Sequence, residues 1–205
     1  VPYYEQKSLV ESAVTTVTDA LWQGIILVVI ILVVFMGSLR PSFVVALSIP
    51  FAILFAFIGM SYFNISINLM SFGGLAIAIG MMVDATIVLV ENVDRLKRES
   101  SKDENFIHII SVASKEVIQP ITFAIIIIIV VFIPLFTLQG VEGKTFSPLA
   151  YTIALAMLGS LIFAILIAPV LSTYLMKRTK RELKKSKEQK ELWIVVQLQK
   201  YMNRL

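Results

Sequence analysis

Five apolar stretches divide this chain, each near the length that crosses a lipid bilayer. A hydrocarbon core about 30 Å thick takes about 20 helical residues. The stretches run from about residues 21 to 36, 43 to 60, 67 to 90, 117 to 138 and 149 to 176. None shows the period-2 alternation of a half-buried strand, and lipid admits only helices or closed barrels. With 58% hydrophobic and 16% charged residues, the chain is too apolar for an ordinary soluble domain. The expected fold is an all-α membrane protein, a bundle of five transmembrane helices. Residues 1–20 lead into it, 21–176 form it, and 177–205 follow it.

Charge gives the bundle a direction. Arg40 lies in the first connection; Arg95, Lys97, Arg98, Lys102 and Lys115 lie in the third; ten more basic residues follow Met176. In an up-and-down threading, sixteen of the eighteen basic residues share one side. The positive-inside rule makes that side cytoplasmic, so the N-terminus is expected outside and the C-terminus inside. An external N-terminus without a signal peptide, in a chain that starts at Val1, reads as part of a longer polypeptide. The tail has a basic run, 177–190, then an amphipathic stretch containing Trp193, Leu198, Tyr201 and Leu205. It reads either as a helix at the inner leaflet or as a solvated tail that enforces topology. Nucleic acid is a poor partner for basic residues that flank a span.

The third stretch carries the chemistry. Asp84 stands at mid-span, where a carboxylate is expensive and marks a functional site by default. Ala76, Gly80 and Asp84 are spaced by four and share one helical face, and Glu91 returns to it two turns on. Small residues admit a close neighbour, so this face is expected to pack on protein. Two readings of Asp84 stand side by side: an acceptor that locks helices, or a proton relay. A relay needs a partner, usually a cation, and this chain has no Lys or Arg at mid-span. That partner would come from another segment. Glu91, about 10 Å further along the helix, is either a second relay group or an interfacial carboxylate.

Eight methionines include Met70, Met82 and Met157 within the spans. Thioether sulfur suits Cu(I), but methionine also fills gaps, and composition alone favours packing. The lone His108 has no nearby partners for a metal site, and the absence of cysteine excludes thiolate sites and disulfides. No nucleotide-binding fingerprint is present, so the chain is not itself an ATP-driven pump. A gradient-driven carrier, a channel or a scaffold remains.

The stretch Gly80 to Asn92 runs Gly, two apolar residues, Val-Asp, then an apolar stretch ending Val-Glu-Asn. It resembles the fourth transmembrane helix of resistance-nodulation-division (RND) efflux pumps. Pro2-Tyr3-Tyr4 with Leu9-Val10, Gly37-Ser38-Leu39-Arg40, Asn68-Leu69-Met70-Ser71 with Gly73-Gly74, and Phe136 to Gly143 resemble the heavy-metal members. The resemblance implies transmembrane helices two to six of the first half, without the porter domain or the second half. Multidrug members carry two adjacent acids here, but Ala85 follows Asp84. Divalent-metal exporters carry a further Asp where this chain has Ala78. Copper and silver exporters lack that Asp and have methionines matching Met70, Met82 and Met157.

The resemblance therefore implies a proton-driven exporter of Cu(I) or Ag(I) in the inner membrane, a secondary transporter rather than an enzyme. Asp84 and Glu91 would relay protons, Met70, Met82 and Met157 would contact the metal, and no resident cofactor is implied. The family's partners are the rest of the pump, a homotrimeric assembly, a periplasmic adaptor and an outer-membrane channel. The alternatives are a divalent-metal or multidrug pump of the same superfamily, or a non-transporting scaffold.

Overall fold

A computed structural model describes residues 2–100 and 105–176. Among them every regular element is helical: α1 (Pro2–Met36), α2 (Leu39–Tyr62), α3 (Leu69–Glu99), α4 (Phe106–Phe136), α5 (Gly140–Ile162) and α6 (Ala168–Leu175). A π-wound segment, Phe163–Ile167, joins α5 and α6 into one span. Five helical stretches are long and apolar enough to cross a membrane, the number expected. The amphipathic stretch expected within 177–205 lies outside the described residues.

The helices outrun their apolar runs. α3 and α4 have 31 residues each, which at 1.5 Å per residue is about 46 Å, well beyond a hydrocarbon core of about 30 Å. Their polar ends continue as an antiparallel pair. The stretch from Gln139 to Pro148, between the last two apolar runs, is helical from Gly140 onward. The glycines tighten the turn instead of breaking the helix. Gly140 supplies a φ of +70°, and Gly143 sits where any Cβ would collide with the Leu138 carbonyl.

Local chemistry sets the boundaries. Asn68 starts α3 with a capping box: its Oδ1 accepts the Ser71 N–H at 3.0 Å, and Ser71 Oγ accepts the Asn68 N–H at 2.8 Å. Asn105 caps α4 by accepting from the Ile107 N–H at 3.0 Å. The π turn before α6 accompanies Pro169, which has no N–H to offer the carbonyl four residues back. The Ala168 N–H reaches instead to the Phe163 carbonyl, five residues back.

α3 and α5 form the centre: 56% of the apolar window of α3 is buried but only 11% of that of α1. The outward faces of α1 and α4 carry large apolar side chains, among them Ile26, Ile30, Val34, Phe123, Ile127 and Val131, as lipid contact requires. α5 runs parallel to α3, with Leu149 beside Gly74 and Ser160 beside Met82. It runs antiparallel to α2, with Leu155 beside Gly59 and Gly159 beside Phe55. The closest approach is backbone to backbone. A Cβ on Gly74 would lie 2.7 Å from the Leu149 carbonyl oxygen, so only glycine permits this seating.

A polar cluster fastens the far end of α3 to α4. The buried Asn92 donates from Nδ2 to the Ala113 carbonyl and to Glu116 Oε2, each at 2.9 Å. Its Oδ1 accepts from Arg95 Nη2 at 2.8 Å, and Arg95 Nη2 also reaches Glu116 Oε2 at 3.1 Å. Asn92 is thus satisfied on both ends of its amide, the condition for a buried polar side chain to stabilise.

Two outcomes follow from this packing. Gly74→Ala forces α5 away from α3 and costs about 1–3 kcal/mol. Gly24→Ala, in α1, adds a methyl where nothing lies within 4 Å and gains about 0.5–1 kcal/mol. Unfolding in detergent measures both. Asn92→Ala removes the bonds to the Ala113 carbonyl and Glu116 that join α3 to α4 and costs about 1–3 kcal/mol. Arg98→Ala, which breaks only the exposed pair with Asp94 at 2.7 Å, changes stability by less than about 0.5 kcal/mol. An Asn92 effect no larger than that of Arg98 would remove the cluster from the account of stability.

Candidate functional site

α3 has two unlike faces. Leu75, Ala78, Ile79, Met82, Val83, Thr86, Leu89, Val90 and Val93 are buried against the other helices. Ala76, Ile77, Gly80, Asp84, Val88 and Glu91 form an exposed stripe on the opposite side. The expectation that the Asp84 face packs on protein is not met within this chain. Nothing lies within 4 Å of the position a Cβ on Gly80 or Gly73 would take. The small residue used for close packing here is Gly74, on the buried side.

Asp84 is therefore presented at the midpoint of the most deeply buried helix, but on its open flank. Among the described residues no hydrogen bond or ion pair reaches its carboxylate. The locking reading would need a hydrogen-bond donor from a neighbouring helix, and the described residues bring none to it. Glu91 lies two turns further on the same flank. It lines an open groove of about 460 Å³ with Val88, Asn92, Arg95, Arg98, Glu99 and Val117. Asp84 and Glu91 thus share a continuous face that ends at a charged rim.

The methionines separate by environment. Met70 sits in the first turn of α3, directly after the Asn68 cap, and is half-buried. Met82 and Met157 are 0% and 1% exposed and belong to the packed core between α3 and α5. Met157 lies one turn before Ser160, whose hydroxyl donates to the Met82 carbonyl, so the two methionines occupy neighbouring levels of one interface. Met60 is fully buried, and its sulfur lies 3.3 Å from Thr152 Oγ1. Among the described residues no group of three or more His, Asp or Glu could hold a metal ion.

Sequence reasoning missed two features of this region. Asn92 was visible only as the last letter of a motif, because its partners Ala113 and Glu116 lie across a helical hairpin. Ser160 was not singled out, although a hydroxyl within an apolar span is itself a sign of an interhelical bond.

Similarity to known proteins agrees with this architecture. The sequence model of the AcrB/AcrD/AcrF family matches residues 1–205. The chain is 41% identical over 177 residues to the cobalt-zinc-cadmium resistance protein CzcA of Cupriavidus metallidurans, covering 82% of this chain and 16% of CzcA. It is 35% identical over 179 residues to the cation efflux system protein CusA of Escherichia coli K12, covering 83% and 17%. An X-ray crystal structure of a heavy metal efflux pump superposes with a TM-score of 0.71 at 38% identity, over 82% of this chain and 16% of the pump. The chain thus spans about one-sixth of the length of the relatives it matches. With a helical bundle, an acid on the open flank of its central helix and these similarities together, the chain belongs to the AcrB/AcrD/AcrF family.

Proposed function

We propose that this chain is membrane machinery of a proton-driven heavy-metal cation exporter, with Cu(I) or Ag(I) as the favoured cargo. The observation that carries the reading is the placement of Asp84: midway along the most buried helix, without a partner among the described residues, and on the flank its own helices leave open. A carboxylate so placed is costly while charged. Protonation removes that cost and changes how the flank pairs with whatever covers it. Asp84 takes a proton from the periplasmic side. Glu91, two turns on beside the charged groove, passes it to the cytoplasm. The cation that answers Asp84 belongs to the second transmembrane half of the pump. The chain lies in the inner membrane as a multi-pass segment, N-terminus periplasmic and C-terminus cytoplasmic. The whole pump works as a homotrimer with a periplasmic adaptor and an outer-membrane channel.

Met70, Met82 and Met157 are proposed as the metal contacts. Thioether ligands select Cu(I) over hard cations. Ala78 is fully buried and supplies no second carboxylate for a divalent ion. One observation favours a rival cargo: the 41% identity to a protein named for cobalt, zinc and cadmium resistance.

Asp84→Asn in the full polypeptide abolishes metal resistance while membrane insertion is unchanged, and retained resistance would end the relay role. Proton-coupled uptake into inverted vesicles, with Cu(I), Ag(I) and Zn(II) in parallel, decides the cargo. Cu(I) and Ag(I) are expected to be taken up, and Met82→Leu to reduce their uptake by about tenfold or more, the loss expected if one soft ligand is removed. A preference for Zn(II) would make the divalent reading the correct one.

A further inference from the structure

Seven threonines on these helices donate their hydroxyls to the carbonyl four residues back: Thr15, Thr16, Thr18, Thr122, Thr145, Thr152 and Thr173. Thr86 does not. Its hydroxyl is buried, the residue is 0% exposed, and the oxygen has no partner. The carbonyl four residues before Thr86 belongs to Met82, and the Ser160 hydroxyl of α5 donates to it. A carbonyl oxygen has two lone pairs. At Met82 one accepts the helical N–H of Thr86, and the other is taken by Ser160. The Thr86 hydroxyl is shut out of its ordinary bond by a donor from the next helix.

We propose that Ser160 and Thr86 are alternative donors to the Met82 carbonyl, giving α5 two seatings against α3. In the seating described, Ser160 closes the interface and Thr86 is orphaned. In the other, α5 has released the carbonyl and Thr86 takes it by a rotation about χ1, a rotamer open to threonine in helices. Separating α5 from α3 at this level then leaves no bare acceptor in an apolar interior. The cost that ordinarily holds an interhelical hydrogen bond shut is cancelled by the waiting hydroxyl. The backbone just beyond Ser160 suits such movement. The π-wound Phe163–Ile167 and Pro169 interrupt the regular ladder there, as in helices that change register at functional sites.

The exchange rests on the transport reading for its use, since the interface it would open is the one that hides Met82 and Met157. Thr86 and Ser160 are positioning residues in this scheme. They set where α5 sits and touch no cargo.

A double-mutant cycle on the full polypeptide in detergent tests the exchange without reference to transport. Thr86→Val removes an orphaned hydroxyl and is expected to raise the folded-to-unfolded ratio by about fivefold. Ser160→Ala is expected to be nearly neutral, because Thr86 takes over the carbonyl. In the Ser160→Ala background, Thr86→Val is expected to reverse sign and lower the ratio by about fivefold. Stabilisation by Thr86→Val in both backgrounds means a merely orphaned hydroxyl and overturns the exchange. Destabilisation in both means a partner other than the Met82 carbonyl and overturns it too. Should the Ser160→Ala protein not fold, the takeover by Thr86 fails with it. Thr86→Ser, which keeps the hydroxyl, is expected to leave the Ser160→Ala effect unchanged. In vesicles, Thr86→Val is expected to lower kcat for metal uptake several-fold with KM unchanged. Unchanged kcat together with a sign-reversing cycle removes the link to transport and leaves the exchange standing.

Discussion

The seating of α5 on α3 organises this bundle. In lipid there is no hydrophobic drive to bring helices together, so association rests on close packing and a few polar bonds. Gly74 permits backbone contact with Leu149 at one end of the pair, and Ser160 bonds the Met82 carbonyl further down. α2 fits the other side of α5 through Gly59 and Gly159. α1 and α4 then cover parts of this centre and turn their bulky apolar side chains outward. One face of α3 is used up by these contacts. The opposite face, with Asp84, is left for something else.

How much of this was legible depended on whether a feature is local. The five spans were readable because lipid imposes a length and forbids irregular backbone. The start of α3 was readable in principle, since Asn68 and Ser71 satisfy each other within one turn. The shared face of Gly80, Asp84 and Glu91 followed from helical spacing alone. What spacing could not give was which face meets which helix. The small residues at 76 and 80 pointed to close packing there, yet the contact used within the chain is at Gly74, on the other side. The bonds of Asn92 to Ala113 and Glu116, and of Ser160 to Met82, join residues 21 to 78 apart in sequence. Sequence periodicity carries no information about such pairs.

The two ends of α3 are held differently from its middle. A capping box fixes the first turn, and the Asn92–Arg95–Glu116 cluster fixes the last ones to α4. Between them the contacts are apolar side chains, one hydroxyl–carbonyl bond and an unpartnered threonine.

The π turn before α6 has an effect on side-chain bookkeeping along the last span. It accommodates about one residue more than an α-helical turn of the same rise. Every side chain after Ile167 is consequently rotated by roughly 100° from where an unbroken helix would aim it. Ala168 and Ser172, both 0% exposed, owe their inward direction to that extra residue. A helical wheel drawn straight through Gly140–Leu175 would mistake the lipid-facing and core-facing positions of its final two turns.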